Sequence, residues 1–153
     1  MSNLSVFFKQ NKPVKKNEFF AASKDFVDAD GKPVMWEFKR INSREKDEIQ
    51  NACSEIKDRS GKMKVDSAKF GRMFLAQTVV FPDLRDRELV DSYMSEYPLD
   101  ERTPDNLICL LLDDPAEYEA ALKFSMELSG VFKKNDAAGA SDGKDENIET
   151  AKN

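Results

Sequence analysis

The stretch FFAASKDFVDADGKPVMWEFKRI, residues 19–41, decides the fold. Its two ends, Phe19 to Val27 and Val34 to Ile41, are rich in aromatic and β-branched side chains, and Asp28-Ala29-Asp30-Gly31-Lys32-Pro33 lies between them. Asp-Gly with Pro close behind is turn chemistry: Asp accepts from nearby backbone amides, Gly takes a positive φ freely, and Pro fixes its own φ. In the second half Val34, Trp36 and Phe38 alternate with Met35, Glu37 and Lys39, which makes one face apolar. The pattern predicts a β-hairpin. An isolated hairpin is marginal in water, so Trp36 and Phe38 are expected to pack on the segments C-terminal to it.

Those segments are helical in pattern. Ser43 is placed to cap a first helix, with Glu45 and Asp47 in the first turn, where the helix dipole favours negative charge. Ile49, Ala52, Cys53 and Ile56 continue it as one narrow apolar stripe, and Arg59-Ser60-Gly61-Lys62 ends it. Met63 to Asp66 reads as a short extended piece or a loop. A second helix is predicted over about 67–80, burying Phe70, Met73, Phe74 and Val80, with Pro82 closing it. A third starts near Asp86 and carries Leu89, Val90, Tyr93 and Met94. Thr103-Pro104 and Asp114-Pro115 are two further starts, each a capping residue before a proline whose missing N–H costs nothing there. The first of these helices runs to Leu112, is apolar nearly all round and is expected to be the most buried; the second runs to about Phe132.

The resulting fold class is α+β, mainly α: an N-terminal hairpin over 19–41 on a bundle of about five helices within 43–132. Residues 1–17 form a polar, lysine-rich arm with one apolar patch, Val6-Phe7-Phe8. A single globular domain spans 18–132. Residues 133–153 hold one large apolar side chain, Ile148, and are expected to be disordered, because they bury too little surface to offset the entropy of ordering.

Composition limits function. The chain of 153 residues is 40% hydrophobic and 35% charged, with a net charge of -5. That balance argues against non-specific nucleic-acid binding, which needs clustered Lys and Arg. No apolar run nears the roughly 20 residues of a membrane span, and no signal peptide is read at the start. A cytoplasmic protein with Cys53 and Cys109 as reduced, buried thiols is expected. There is no histidine, which removes Ser-His and Cys-His nucleophiles and His-bearing zinc sites. No cofactor and no catalytic residue is assigned, and the protein is expected not to be an enzyme. Asp28, Asp30, Gly31 and Glu37 do not make a calcium loop, because placing Gly31 sixth puts Phe26 first, where it cannot ligate. Ser60-Gly61-Lys62 lacks the upstream glycine of a phosphate loop. Asp113-Asp114 and Asp83/Asp86 stand where helix starts want acceptors, and capping explains them better than acid–base work.

The last helix reads either as a broadly buried core element or as a face that contacts a partner or a second copy of the chain. At about 100° per residue, Tyr118, Ala121, Leu122, Ser125, Leu128 and Phe132 share a face, with Phe124 and Val131 on its shoulder. This arc exceeds what a small domain requires. Tyr118, Leu122, Phe124, Met126, Leu128, Val131 and Phe132 are therefore the candidate contact residues, each worth about 1.5–3 kcal/mol if fully buried against a partner.

Several motifs resemble one family in order and spacing. Ser23-Lys24-Asp25-Phe26, then Asp30-Gly31-Lys32-Pro33-Val34 with Trp36-Glu37, is similar to the hairpin of tail assembly chaperones of the PBSX-prophage type, the XkdN-like family. Phe81-Pro82-Asp83-Leu84 before Glu88-Leu89-Val90-Asp91-Ser92-Tyr93 resembles that family's "FPxL…ELxDSY" segment. Leu110-Leu111 ahead of Pro115-Ala116-Glu117-Tyr118 resembles its leucine pair before a "GEY" helix, with Pro115-Ala116 in place of the glycine start. The resemblance covers roughly residues 1–132 and departs from the family in the polar tail. It implies a non-catalytic chaperone that binds the tape measure protein, or another tail protein, and is absent from the mature virion. It also implies self-association as a homo-oligomer. A structural tail or baseplate-associated protein retained in the particle is the alternative.

Overall fold

A computed structural model describes residues 3–56 and 61–131 of the chain. Among these the fold is α+β and mainly α, with five α-helices, a three-stranded antiparallel sheet and a two-stranded ribbon. Two 3-10 turns, Asn3–Phe7 and Lys9–Asn11, precede the body. Phe132 and the tail over 133–153, with its expected disorder, lie outside the described residues.

The hairpin forms, with much shorter strands than its two aromatic stretches suggest. Strand β1 (Glu18–Phe20) pairs with β2 (Trp36–Phe38), Phe19 facing Glu37. Residues 21–35 between them make an excursion closed by the expected turn. The Asp28 carboxylate accepts from the amides of Asp30 at 2.8 Å and Lys32 at 3.0 Å, and Gly31 adopts a φ of 79°. That conformation is strained for any residue bearing a Cβ. Trp36 and Phe38 are buried on the helices, as their alternation requires.

Helix α1 (Ser43–Ala52) begins one residue earlier than Ser43 implies. Asn42 is the cap: its side chain accepts from the Glu45 amide at 2.8 Å, and the Glu45 carboxylate accepts from the Asn42 amide at 3.2 Å. This reciprocal pair satisfies two orphan donors at once. The helix then stops short of Ile56. Its stripe ends at Ile49 and Cys53, Ala52 faces solvent, and Ser54–Ile56 becomes strand β3, paired with β4 (Met63–Val65).

Helix α2 (Ser67–Thr78) is capped by Asp66 and also ends earlier than its apolar pattern suggests. Val79–Phe81 is strand β5, which pairs with β2 and completes the sheet in the order β1-β2-β5. Val80, expected in the core, is consequently exposed: Phe38 pairs with Val79 and Glu37 with Phe81, and the register shift between them leaves Val80 as the extra, outward residue. Helix α3 (Arg87–Met94) is capped by Asp86, α4 (Pro104–Leu111) starts on its proline, and α5 (Pro115–Leu128) is capped by Asp114. Thr103 does not cap α4; its hydroxyl is buried without a hydrogen-bond partner. Helix α5 stops at Leu128, short of the expected Phe132, and Gly130 with a φ of 80° turns the chain away.

The main core gathers Trp36 and Phe38 from the sheet, Leu75 from α2, Leu107, Ile108 and Leu111 from α4, and Ala121 from α5. A smaller cluster joins Ile41, Ile49, Cys53, Phe74 and Met126. Helix α2 packs on both α4 and α5 and so lies between the two. Fully burying each large side chain contributes about 1.5–3 kcal/mol.

Candidate partner-binding site

Helix α5 starts where the Asp114 carboxylate accepts from the Ala116 amide at 2.8 Å. From there its side chains divide between three neighbours. Phe124 faces the sheet: its ring stacks on Phe20 at 4.6 Å between centroids and meets Phe38 edge-on at 5.1 Å. Ala121 and Ser125 are fully buried, and the Ser125 hydroxyl donates to the Leu122 carbonyl at 2.8 Å. Tyr118 and Leu122 face α2, where Gly71 lets the two helices approach. A Cβ at Gly71 would sit 3.2 Å from Leu122 Cδ2 and 3.5 Å from the Tyr118 hydroxyl oxygen.

That approach does not close the surface. Between α2, α4 and α5 runs a groove of about 490 Å³, with Gly71, Cys109, Leu112, Tyr118 and Leu122 in its lining and Arg72, Asp113 and Glu119 as its charges. Burial pushes the Tyr118 phenol up to about 12 and also raises the Cys109 thiol, so both stay neutral near pH 7. The groove is thus an apolar trough with one guanidinium and two carboxylates. Among the described residues no group of three or more Cys, Asp or Glu is placed to hold a metal.

The seven candidate contact residues separate in space. Tyr118 and Leu122 line the groove; Phe124 and Leu128 line a smaller cleft of about 210 Å³ beside Glu18, Arg40 and Glu127. Met126 and Leu128 are buried, Val131 is half-buried against the smaller core cluster, and Phe132 lies outside the described residues. The broad apolar arc of α5 is largely occupied from within, since the hairpin's Phe20 and Phe38 cover its Phe124 shoulder.

Exposed apolar surface lies elsewhere. Val6 is 61% exposed, Phe7 79% and Phe8 46% on the N-terminal turns; Phe19 and Phe81, 59% and 52% exposed, flank Glu37 on the outward side of the sheet. The arm patch is visible in the sequence. Gly71 escapes the apolar periodicity, and its only signal is that an isolated glycine inside a helical pattern marks a close approach. Cys109 and Leu112, expected in the core, also reach the groove.

Of the acidic positions expected as caps, Asp86 caps α3, its Oδ1 accepting from the Leu89 amide at 3.0 Å, and Asp114 caps α5, whereas Asp83 Oδ1 accepts from the Arg85 amide at 3.0 Å within a turn. No helix among the described residues is long and apolar enough to cross a membrane.

The family model described as phage XkdN-like tail assembly chaperone protein matches residues 4–152. The chain belongs to the XkdN-like tail assembly chaperone family. Among relatives, it is 29% identical over 111 residues to the uncharacterized protein YqbN of Bacillus subtilis strain 168, covering 71% of this chain and 70% of YqbN. It is 25% identical over 128 residues to the phage-like element PBSX protein XkdN of the same strain, covering 81% of this chain and 82% of XkdN. The crystal structure of YqbN superposes with a TM-score of 0.68 at 24% identity, covering 85% of this chain and 98% of that one. This member of the chaperone family therefore shares its overall fold with YqbN.

Proposed function

We propose that the chain chaperones the tape measure protein in the cytoplasm of the host cell, without catalysis, and leaves before the tail is complete. The observation that carries this reading is the α2–α4–α5 groove in a member of a tail assembly chaperone family. Its volume lies within the range of about 300–1,000 Å³ that takes apolar ligand groups. Its length along α5 suits the side chains of an amphipathic helix laid across it. Tyr118 and Leu122 make the direct contacts in this proposal, and the rest of the α5 set, Phe124, Met126, Leu128 and Val131, holds that helix in place.

Co-expression with the neighbouring tape measure protein tests the reading. The pair is expected to co-purify, and Leu122→Asp is expected to abolish capture, provided circular dichroism shows the variant folded. Glu119→Lys, at an exposed rim position, is expected to weaken capture while leaving the fold intact. Mass spectrometry of purified tails is expected to lack the chain. Abundance in tails would instead favour a structural tail or baseplate-associated protein.

A further inference from the structure

We infer that the α2–α4–α5 groove selects an amphipathic client helix carrying an aspartate or glutamate among its apolar anchors, received by the Arg72 guanidinium and the Tyr118 hydroxyl. The inference deepens the proposed function and rests on reading that groove as the client site.

The bonding of the arginines sets Arg72 apart. Among the described residues three arginines are half-buried: Arg40, Arg72 and Arg102. Arg40 donates to the Leu128 carbonyl and lies 3.8 Å from the Glu18 carboxylate. Arg102 donates to the Tyr97 and Ser95 carbonyls, each at 2.9 Å, and lies 3.6 Å from the Asp91 carboxylate. Arg72 has neither a hydrogen bond nor an ion pair among the described residues, although Asp113 and Glu119 line the same groove.

Placement separates these charges. Asp113 and Glu119 are exposed, so their carboxylates remain hydrated at the rim. Arg72 follows Gly71, where α2 nears Leu122 and Tyr118, and so stands on the α2 wall of the trough. Burial raises the Tyr118 phenol and the Cys109 thiol, and the Arg72 charge opposes both shifts, which sets the guanidinium beside each of them. The Tyr118 hydroxyl, neutral near pH 7, likewise has no hydrogen-bond partner among the described residues. Two donors without acceptors thus share a trough whose apolar lining includes Gly71, Leu112 and Leu122.

An occupant that covers the trough takes the guanidinium out of water. A buried charge left unpaired is strongly destabilising, whereas a carboxylate meets the arginine fork with two parallel N–H···O bonds. The Tyr118 O–H is available to donate to the same carboxylate. A wholly apolar helix therefore binds poorly, and one with lysine at that point is repelled. The unmet charge, more than the area of the groove, discriminates between clients.

Overlapping peptides of the neighbouring tape measure protein, titrated against the full chain by fluorescence anisotropy, test this. The peptide that binds, and that Leu122→Asp releases, is expected to hold an Asp or Glu between its apolar positions. Replacing that residue by its amide is expected to weaken binding at least about tenfold, and Arg72→Gln to do the same. Both changes together are expected to cost little more than either alone, the mark of a direct pair. The peptide-side change reads the contact on the unaltered protein, whatever Arg72→Gln does to the fold. A groove-bound peptide without a carboxylate on its apolar face overturns the inference and leaves the proposed function standing. So does binding indifferent to either substitution, or a loss in Glu119→Gln as large as in Arg72→Gln, which makes Glu119 the partner of Arg72. If no peptide binds, the proposed function falls and the inference with it.

Discussion

The Ser23 hydroxyl donates to one oxygen of Glu117 at 2.9 Å while the Lys24 amide donates to the other at 2.8 Å. One carboxylate in the first turn of α5 thereby clasps the hairpin excursion from the far end of the domain. Ser23 is almost fully buried, so removing its acceptor leaves a polar group poorly satisfied. Glu117→Ala is expected to cost about 1–3 kcal/mol, read by urea denaturation. Glu119→Ala, two residues on and exposed, is expected to stay within about 0.5 kcal/mol of the parent.

Phe124 holds the helix to the sheet through two ring contacts. Phe124→Ala is expected to destabilise by about 2–4 kcal/mol, somewhat below a fully enclosed phenylalanine because the ring is only half-buried. Phe124→Leu should recover most of this. If alanine were tolerated with no change in urea midpoint, the ring would not be part of the core.

Glu45 ties the start of α1 to α2. Burial pulls its carboxyl upward, but the Asn42 amide, the Gln77 side chain and Lys39 outweigh that and hold it below its usual value of about 4.3. A carboxyl depressed in the fold contributes stability above its unfolded pKa and loses it as pH falls through the folded one. Glu45→Gln is therefore expected to destabilise at pH 7 and to matter progressively less below about pH 4. Urea midpoints at about pH 7 and about pH 3.5, on either side of that range, measure the difference.

Tyr118 works in the opposite sense. Its phenol, pushed up to about 12 by burial, favours the neutral form in the fold, so its contribution is complete below about pH 10 and lost as pH rises toward the folded value. Alkaline titration at the phenolate absorbance should show a late step at about 12 that Tyr118→Phe removes. A Tyr118 step at the ordinary value would mean the ring is not seated against α2.

The hairpin, the helix order and the prolines at the starts of α4 and α5 are readable because each has a local chemical signature. Asp28 and Gly31 make their turn wherever the chain puts them, and Pro104 and Pro115 cost least at a helix start. Strand β5 is hidden because Val79-Val80-Phe81 continues α2 without a breaker and becomes a strand only through pairing with β2. Ile56 misleads for a related reason: it falls in step with Ile49 and Cys53, while β4 pairs it as a strand. Asn42 and Ser43 are both good caps, and Glu45, three residues after Asn42, is what identifies the former. At the site, periodicity locates the broad face of α5. It does not say that Phe20 and Phe38 cover one shoulder, or that Gly71 opens a trough on the other side.

The end of α5 is also where β2 is secured: Arg40 Nη1 donates to the Leu128 carbonyl and the Ile41 amide to the Ser129 hydroxyl at 3.0 Å. During synthesis these acceptors are the last of the body to leave the ribosome. Until they emerge, Trp36 and Phe38 have no completed helical layer to cover them, and contacts of such long sequence separation form late. A member of a tail assembly chaperone family is therefore, while nascent, itself in need of shelter.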